Sequence, residues 1–245
     1  MDEDPLKAIR AKKEASIVGC MQLLKEKKVE AVFSAGSTGA TLISAITILG
    51  KQKGVIRPAI ASILPNSDSS VILLDSGASL DVKPKILYQF AVMGSKLAEV
   101  LLELDNPRVG LLNNGEEESK GRDLEKSAYK LLSSSNLNFI GNVEGRDFAS
   151  EKVDVFVTDG FTGNVVLKTL EGTAKLQQKL ISDSLSKNLF KPLLPIVKNA
   201  FKPVKDKLNP DKTNASYLLG VDGLVTIGHG SVSYTHLRAH ETEAD

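Results

Sequence analysis

Val29-Glu30-Ala31-Val32-Phe33 followed by Ser34-Ala35-Gly36-Ser37-Thr38-Gly39-Ala40 reads as an apolar strand running into a loop of small polar residues. The run from Thr38 to Leu49 then sets Leu42, Ile43, Ile46 and Leu49 on one side of a helix. A strand, a small-residue loop and a helix N-terminus together aim backbone N–H groups and the positive end of the helix dipole at one point, which makes an anion site. The arrangement recurs. Val71 to Leu74 leads into Asp75-Ser76-Gly77-Ala78, Arg108 to Leu112 into Asn113-Asn114-Gly115-Glu116, and Val153 to Thr158 into Asp159-Gly160-Phe161-Thr162-Gly163-Asn164. Four such loops predict a single polar crevice beyond the carboxyl ends of the strands.

Working outward, Asp2 to Lys28 reads as an exposed, charged helix, and Pro84 to Leu104 as the strongest helix, with Ile86, Phe90, Met93, Leu97, Val100 and Leu104 at helical spacing. Ala59 to Leu64 and Val71 to Leu74 are joined by the turn-forming Pro65-Asn66-Ser67-Asp68-Ser69, so a hairpin or tight connection is expected. Further strands are expected at Val109 to Leu112, Asn138 to Ile140 and Val153 to Thr158, with helices at Leu124 to Leu132 and from Val165 to about Leu185. Strands alternating with helices predict an α/β fold, a three-layer α/β/α sandwich with a mostly parallel mixed sheet.

Residues 1–230 read as one domain. Within it, residues 184–212 carry seven lysines and two acids among apolar residues, broken by Pro192, Pro195 and Pro203. Such a basic helical excursion suits packing on its own domain or a second subunit, or an anionic membrane surface. Residues 231–245 lose the apolar periodicity and read as a non-native tail, so His236 and His240 are not taken as ligands.

The 245 residues include 31 Lys plus Arg against 30 Asp plus Glu, a balance that points away from nucleic acid. The single cysteine, Cys20, shares a helix face with Ile17, Met21 and Leu24 and is expected to be a buried structural thiol in a reducing compartment. One cysteine and one credible histidine, His229, make no zinc site. The sequence holds no Walker A, no Gly-x-Gly-x-x-Gly and no Gly-x-Ser-x-Gly. What it offers is neutral donors on the loops, Ser34, Ser37, Thr38, Thr162 and Asn164, suited to phosphate or an oxyanion or, singly, to capping a helix. Asp75 and Asp159 suit turn capping better than metal binding. Arg57, held by Pro58 at a strand start, fits an anion clamp, and His229 between glycines fits an oxyanion donor or proton carrier.

Taken together, several stretches resemble one family, the bacterial acyl-acyl-carrier-protein:phosphate acyltransferases of phospholipid synthesis. They are SAGSTGA at 34 to 40, Arg57-Pro58-Ala59, Leu74-Asp75-Ser76-Gly77-Ala78, VGLLNNGEEESKG at 109 to 121 and Gly141-Asn142-Val143-Glu144-Gly145-Arg146-Asp147. DGFTGNVVLK at 159 to 168, and Leu218-Leu219-Gly220 with Gly228-His229-Gly230-Ser231, join Ala8-Ile9-Arg10-Ala11-Lys12-Lys13, Gln89-Phe90-Ala91-Val92-Met93-Gly94 and Glu171-Gly172 to complete the set in order over residues 5 to 231. The resemblance implies a fold similar to isocitrate and isopropylmalate dehydrogenases and to phosphate acetyltransferase. It implies transfer of a long-chain acyl group from acyl carrier protein to inorganic phosphate, with no metal and no cofactor. It further implies a cytoplasmic homodimer, peripherally associated with the membrane beside the glycerol-3-phosphate acyltransferase that consumes acyl phosphate. Attack by bound phosphate on a thioester needs no enzyme nucleophile. Ser34, Gly36, Ser37, Thr38, Gly39 and Arg57 are expected to hold phosphate, and Asn164, Thr162 and His229 to act on the thioester.

Two departures bear on activity. The family carries an additional N-terminal βα region with a Gly-Gly-Asp motif, so a truncated copy of weak or no activity is expected here. It also has a Gly-Gly pair where this chain reads Ala215-Ser216-Tyr217. The competing readings are a dehydrogenase of the same fold and a non-enzymatic binding module for membrane or acyl carrier protein.

Overall fold

Apolar residues alternate along two neighbouring strands, β2 (Ala59–Pro65) and β3 (Ser70–Leu74), and the alternation sends them to opposite faces of one sheet. Ala59, Ala61, Ile72 and Leu74 join one cluster, whereas Leu64, Val71 and Leu73 join another, behind the sheet. A computed structural model describes residues 15–66, 69–185, 202 and 216–228 of the chain. The remaining strands are β1 (Ala31–Ser34), β4 (Val109–Leu112), β5 (Phe139–Val143), β6 (Val155–Val157), β7 (Ser216–Leu219) and β8 (Leu224–Ile227). The helices are α1 (Ser16–Lys25), α2 (Thr38–Ile48), α3 (Pro84–Leu101), α4 (Asp123–Ser133) and α5 (Gly160–Leu185).

The eight strands form one sheet in the order β1-β8-β7-β2-β3-β6-β4-β5. The pairs β1/β8, β3/β6, β6/β4 and β4/β5 are parallel, and β8/β7, β7/β2 and β2/β3 are antiparallel. The expected hairpin is therefore present as β2/β3, and the sheet is mixed. Strands β7 and β8 were not among the expected strands.

Helix α3 starts with Pro84 in its first turn, where a missing N–H costs nothing. It buries Ile86, Leu87, Phe90, Ala91, Gly94, Ser95 and Ala98 against β3 and β6. Truncating Phe90, fully enclosed, to alanine would cost about 3–5 kcal/mol. Between β4 and β6, the Asp154 carboxylate accepts from the Arg108 backbone N–H at 2.7 Å and from its guanidinium at 2.8 and 2.9 Å. Burial pushes that carboxyl upward, but the arginine outweighs it and holds Asp154 below its ordinary value.

Three expectations change. Helix α5 begins at Gly160, five residues before Val165, because Asp159 caps it; the glycine-bearing stretch is a first helical turn and not a loop. Cys20 is exposed, since α1 packs through Met21 and Leu24 and leaves the flank carrying Cys20 open. The four loops do not meet at one rim. Strand β1 runs opposite to β3, β4 and β6, so the loop after Ser34 leaves the other end of the sheet. Apart from Ser184, Leu185 and Lys202, the lysine-rich excursion lies outside the described residues, as do the tail and residues 1–14.

Candidate functional site

Ser37 stands in extended conformation ahead of α2 and accepts from Ala40 N at 3.5 Å, so it is the N-cap. Thr41 Oγ1 donates to Ser37 O at 3.1 Å, which leaves the 2.8 Å contact between Thr41 and Ser34 to a proton from Ser34. Ser34 Oγ also accepts Gly36 N at 3.3 Å. The Ser34 hydroxyl is therefore spent on holding the loop, and it is buried. The donors left facing outward are the Ser37 and Thr38 hydroxyls and the first-turn amides of Thr38 and Gly39, which have no partner within the helix. Ser34, Gly36 and Ser37 border a recess of about 320 Å³ that Phe33 and Cys20 also line, and Thr38 and Gly39 lie outside its lining. Gly228 N donates to Ser34 O at 2.9 Å, so the end of β8 closes on this loop. His229 lies outside the described residues.

At the other end, Asp75 follows β3 and is fully buried. Its Oδ1 accepts from Ile60 N, Gly77 N and Ala78 N at 2.9, 3.1 and 2.9 Å, and its Oδ2 from Ser79 N at 2.7 Å. Burial pushes the Asp75 carboxyl up, while the four amide donations favour its charged form. Asp159, also buried, accepts from Thr162 N at 2.8 Å and Thr162 Oγ1 at 3.0 Å and so caps α5. The first turn of α5 lies directly on the Asp75 loop. A Cβ at Gly163 would stand 1.9 Å from Asp75 O, and one at Gly160 would stand 2.7 Å from Asp75 Oδ2. Both aspartates thus act as structural caps.

This packing presents Asn164, exposed, beside Gly77, where an added Cβ would stand 3.6 Å from the Asn164 Cβ. Thr162, half-buried, spends its proton on Asp159. Arg57, exposed and without a hydrogen-bond or ion-pair partner among the described residues, precedes β2 at the end of the sheet where β3 and β6 finish, the end that also carries Asn164. It does not join Ser34, Gly36, Ser37, Thr38 and Gly39, because β2 runs in the same direction as β1 and Arg57 precedes it.

Between the two ends lies a feature the sequence reading passed over. Ser34, Ser216 and Ser62 fall on one register row and face the same side of the sheet as Ile227 and Leu73. Ser62 bonds to Ser76 at 2.7 Å and to Ser216 at 2.9 Å, and Ser76 donates to Ile60 O at 3.1 Å. Satisfying all three contacts directs the protons from Ser216 through Ser62 to Ser76. This polar floor separates the cluster under α1 and α2 from the one under α5. Three serines so far apart in sequence carry no joint signal until strand order is known. Among the described residues, no three His, Cys, Asp or Glu side chains stand together to hold a metal.

The family model described as fatty acid synthesis protein matches residues 1–240. The chain belongs to that family. It is 46% identical over 236 residues to the phosphate acyltransferase of Elusimicrobium minutum, covering 96% of this chain and 69% of the relative. It is 45% identical to the phosphate acyltransferase of Thermosipho africanus, covering 96% and 72%. Among solved structures, the EutD phosphotransacetylase of Staphylococcus aureus superposes with a TM-score of 0.57 at 14% identity, covering 95% of this chain and 71% of that one. A branched-chain phosphotransacylase from Enterococcus faecalis V583 superposes with a TM-score of 0.59 at 13% identity, covering 91% and 76%. These two share the α/β fold.

Proposed function

We propose that the chain is a phosphate acyltransferase that moves a long-chain acyl group from acyl carrier protein to inorganic phosphate, forming acyl phosphate for phospholipid synthesis. The observation that carries this is identity of 45–46% over 96% of the chain to proteins named phosphate acyltransferase. The open amides of Thr38 and Gly39, with the neutral hydroxyls beside them, suit a phosphate dianion. In this reading the Ser34 to Gly39 segment holds phosphate, with Ser34 and Gly36 shaping the loop and Ser37, Thr38 and Gly39 donating to the anion. Arg57 and Asn164 meet the thioester from the other side of the serine floor, Thr162 supports Asn164 through the Asp159 cap, and His229 follows the strand that closes on Ser34. Phe161, exposed at the start of α5, borders the path of the acyl chain.

The same reading includes the three-layer α/β/α sandwich of the isocitrate and isopropylmalate dehydrogenase class. It is supported by α3 and α4 packing on one face of the sheet and α1, α2 and α5 on the other. It also includes a cytoplasmic homodimer that associates peripherally with the membrane and delivers acyl phosphate to glycerol-3-phosphate acyltransferase. Exposed Val165, Leu176 and Leu180 on α5 offer an apolar stripe for a second subunit, and no helix among the described residues is long and apolar enough to cross a bilayer.

The test is phosphate-dependent loss of thioester from long-chain acyl-acyl carrier protein, with acyl phosphate trapped by hydroxylamine. Ser37→Ala should raise the KM for phosphate, and Asn164→Ala should lower kcat. Thioester loss that ignores phosphate would sink the assignment.

A further inference from the structure

Arg122 has no part in the glycine-bearing motifs, yet it joins two helices at their N-termini. It stands immediately before α4, and its side chain is 60% exposed while its two partners are enclosed, Glu125 at 8% and Asp159 at 2%. The guanidinium Nε meets both Glu125 oxygens, at 3.0 and 3.1 Å, and Nη2 meets Glu125 Oε1 and Asp159 Oδ2. Glu125 Oε2 also accepts Arg122 N at 2.8 Å, which fixes the arginine at the head of α4. Asp159 is the residue that holds the Thr162 amide and hydroxyl. One cation thus bridges a carboxylate anchored in α4 and the carboxylate that caps α5.

We infer that Arg122 is a positioning residue: by clamping Asp159 against α4 it sets the first turn of α5, and with it the placement of Asn164 over Gly77. This rests on the reading of Asn164 as a substrate-facing group. The fork of a guanidinium suits the task because it donates along two directions at once, which a lysine ammonium does with less definition. Without it, two buried carboxylates face each other uncompensated, and turning Asp159 outward relieves them at the expense of the Thr162 bonds.

The experiment compares Arg122→Gln, Arg122→Lys and Asn164→Ala in the whole protein, by amide hydrogen exchange and by steady-state kinetics with acyl-acyl carrier protein and phosphate. Arg122→Gln should speed exchange of the Thr162 amide at least about tenfold while Leu73 and Val157 stay protected. It should lower kcat by about 10- to 100-fold with little change in KM for phosphate, as expected for a small misplacement. Arg122→Lys should recover part of both. The inference is overturned by native protection at Thr162 in Arg122→Gln, by loss of protection spread evenly over β3 and β6, by an unchanged kcat, or by a lysine variant no better than glutamine. If Asn164→Ala keeps full kcat, the assignment of Asn164 falls, and exchange at Thr162 still decides whether Arg122 holds the turn.

Discussion

Around Ser37 the first-turn amides of Thr38 and Gly39 have no acceptor within their helix, whereas around Asp75 four amides converge on one buried carboxylate. Both regions grew from the same local pattern, an apolar strand followed by a polar loop with glycine. At the first, neutral hydroxyls shape the loop, and Ser37 lines a recess. At the second, a buried carboxyl of the protein already takes the donors, so an external anion is not invited. A glycine-bearing turn is therefore an anion site only where no resident carboxylate has already taken its donors.

The sharpest way to break this comparison is Gly163→Ala. An added methyl would meet the Asp75 carbonyl at 1.9 Å, so the α5 turn must move, at a cost of about 3 kcal/mol or more, read as a lowered denaturation midpoint. A change of less than about 1 kcal/mol would show that α5 does not rest on the Asp75 loop. Asp75→Asn should follow, at about 2–3 kcal/mol, because an amide has one acceptor oxygen where four N–H groups converge. Ser37→Ala should cost about 1 kcal/mol, the ordinary loss of an N-cap, while weakening phosphate binding. Equal losses at Ser37 and Asp75 would erase the distinction between an open and an occupied anion site.

Acid provides a further contrast. Arginine contacts outweigh burial to hold Glu125 and Asp154 below their ordinary values. Groups whose folded pKa is depressed contribute stability above their unfolded pKa and lose it as pH falls through the folded one. The denaturation midpoint should therefore decline on acidification from about pH 5 towards pH 3, and Arg122→Gln should flatten the part of that decline owed to Glu125. The smallest effect is expected at Cys20, whose exposure at the recess should allow alkylation of the native protein. Phosphate should slow that alkylation, and an unreactive thiol would close the recess.

Much was legible in the chain. SAGSTGA was read as strand, loop and helix start, and Ser37 does cap α2. The β2/β3 hairpin followed from a short turn-rich connection, and α3 from its periodic apolar residues. The start of α5 was misplaced because glycines at 160 and 163 read as a loop, when their purpose is close packing on Asp75. Arg57 was grouped with Ser34 by motif, and the opposite ends of parallel-running β1 and β2 part them.

Local sequence sufficed for most of the elements and for the donor-rich loop at Ser34 to Gly39, since capping and periodicity are properties of neighbours along the chain, and the acyltransferase reading rested on the resemblance of ordered motifs to a known family. Strand direction and order were decided only by the tertiary structure. They depend on which apolar faces pair across the whole sheet, and they alone join Ser216, Ser62 and Ser76 in one hydrogen-bonded chain, tie Arg122 to Asp159, and set the loop at Ser34 to Gly39 apart from the turn that carries Asn164.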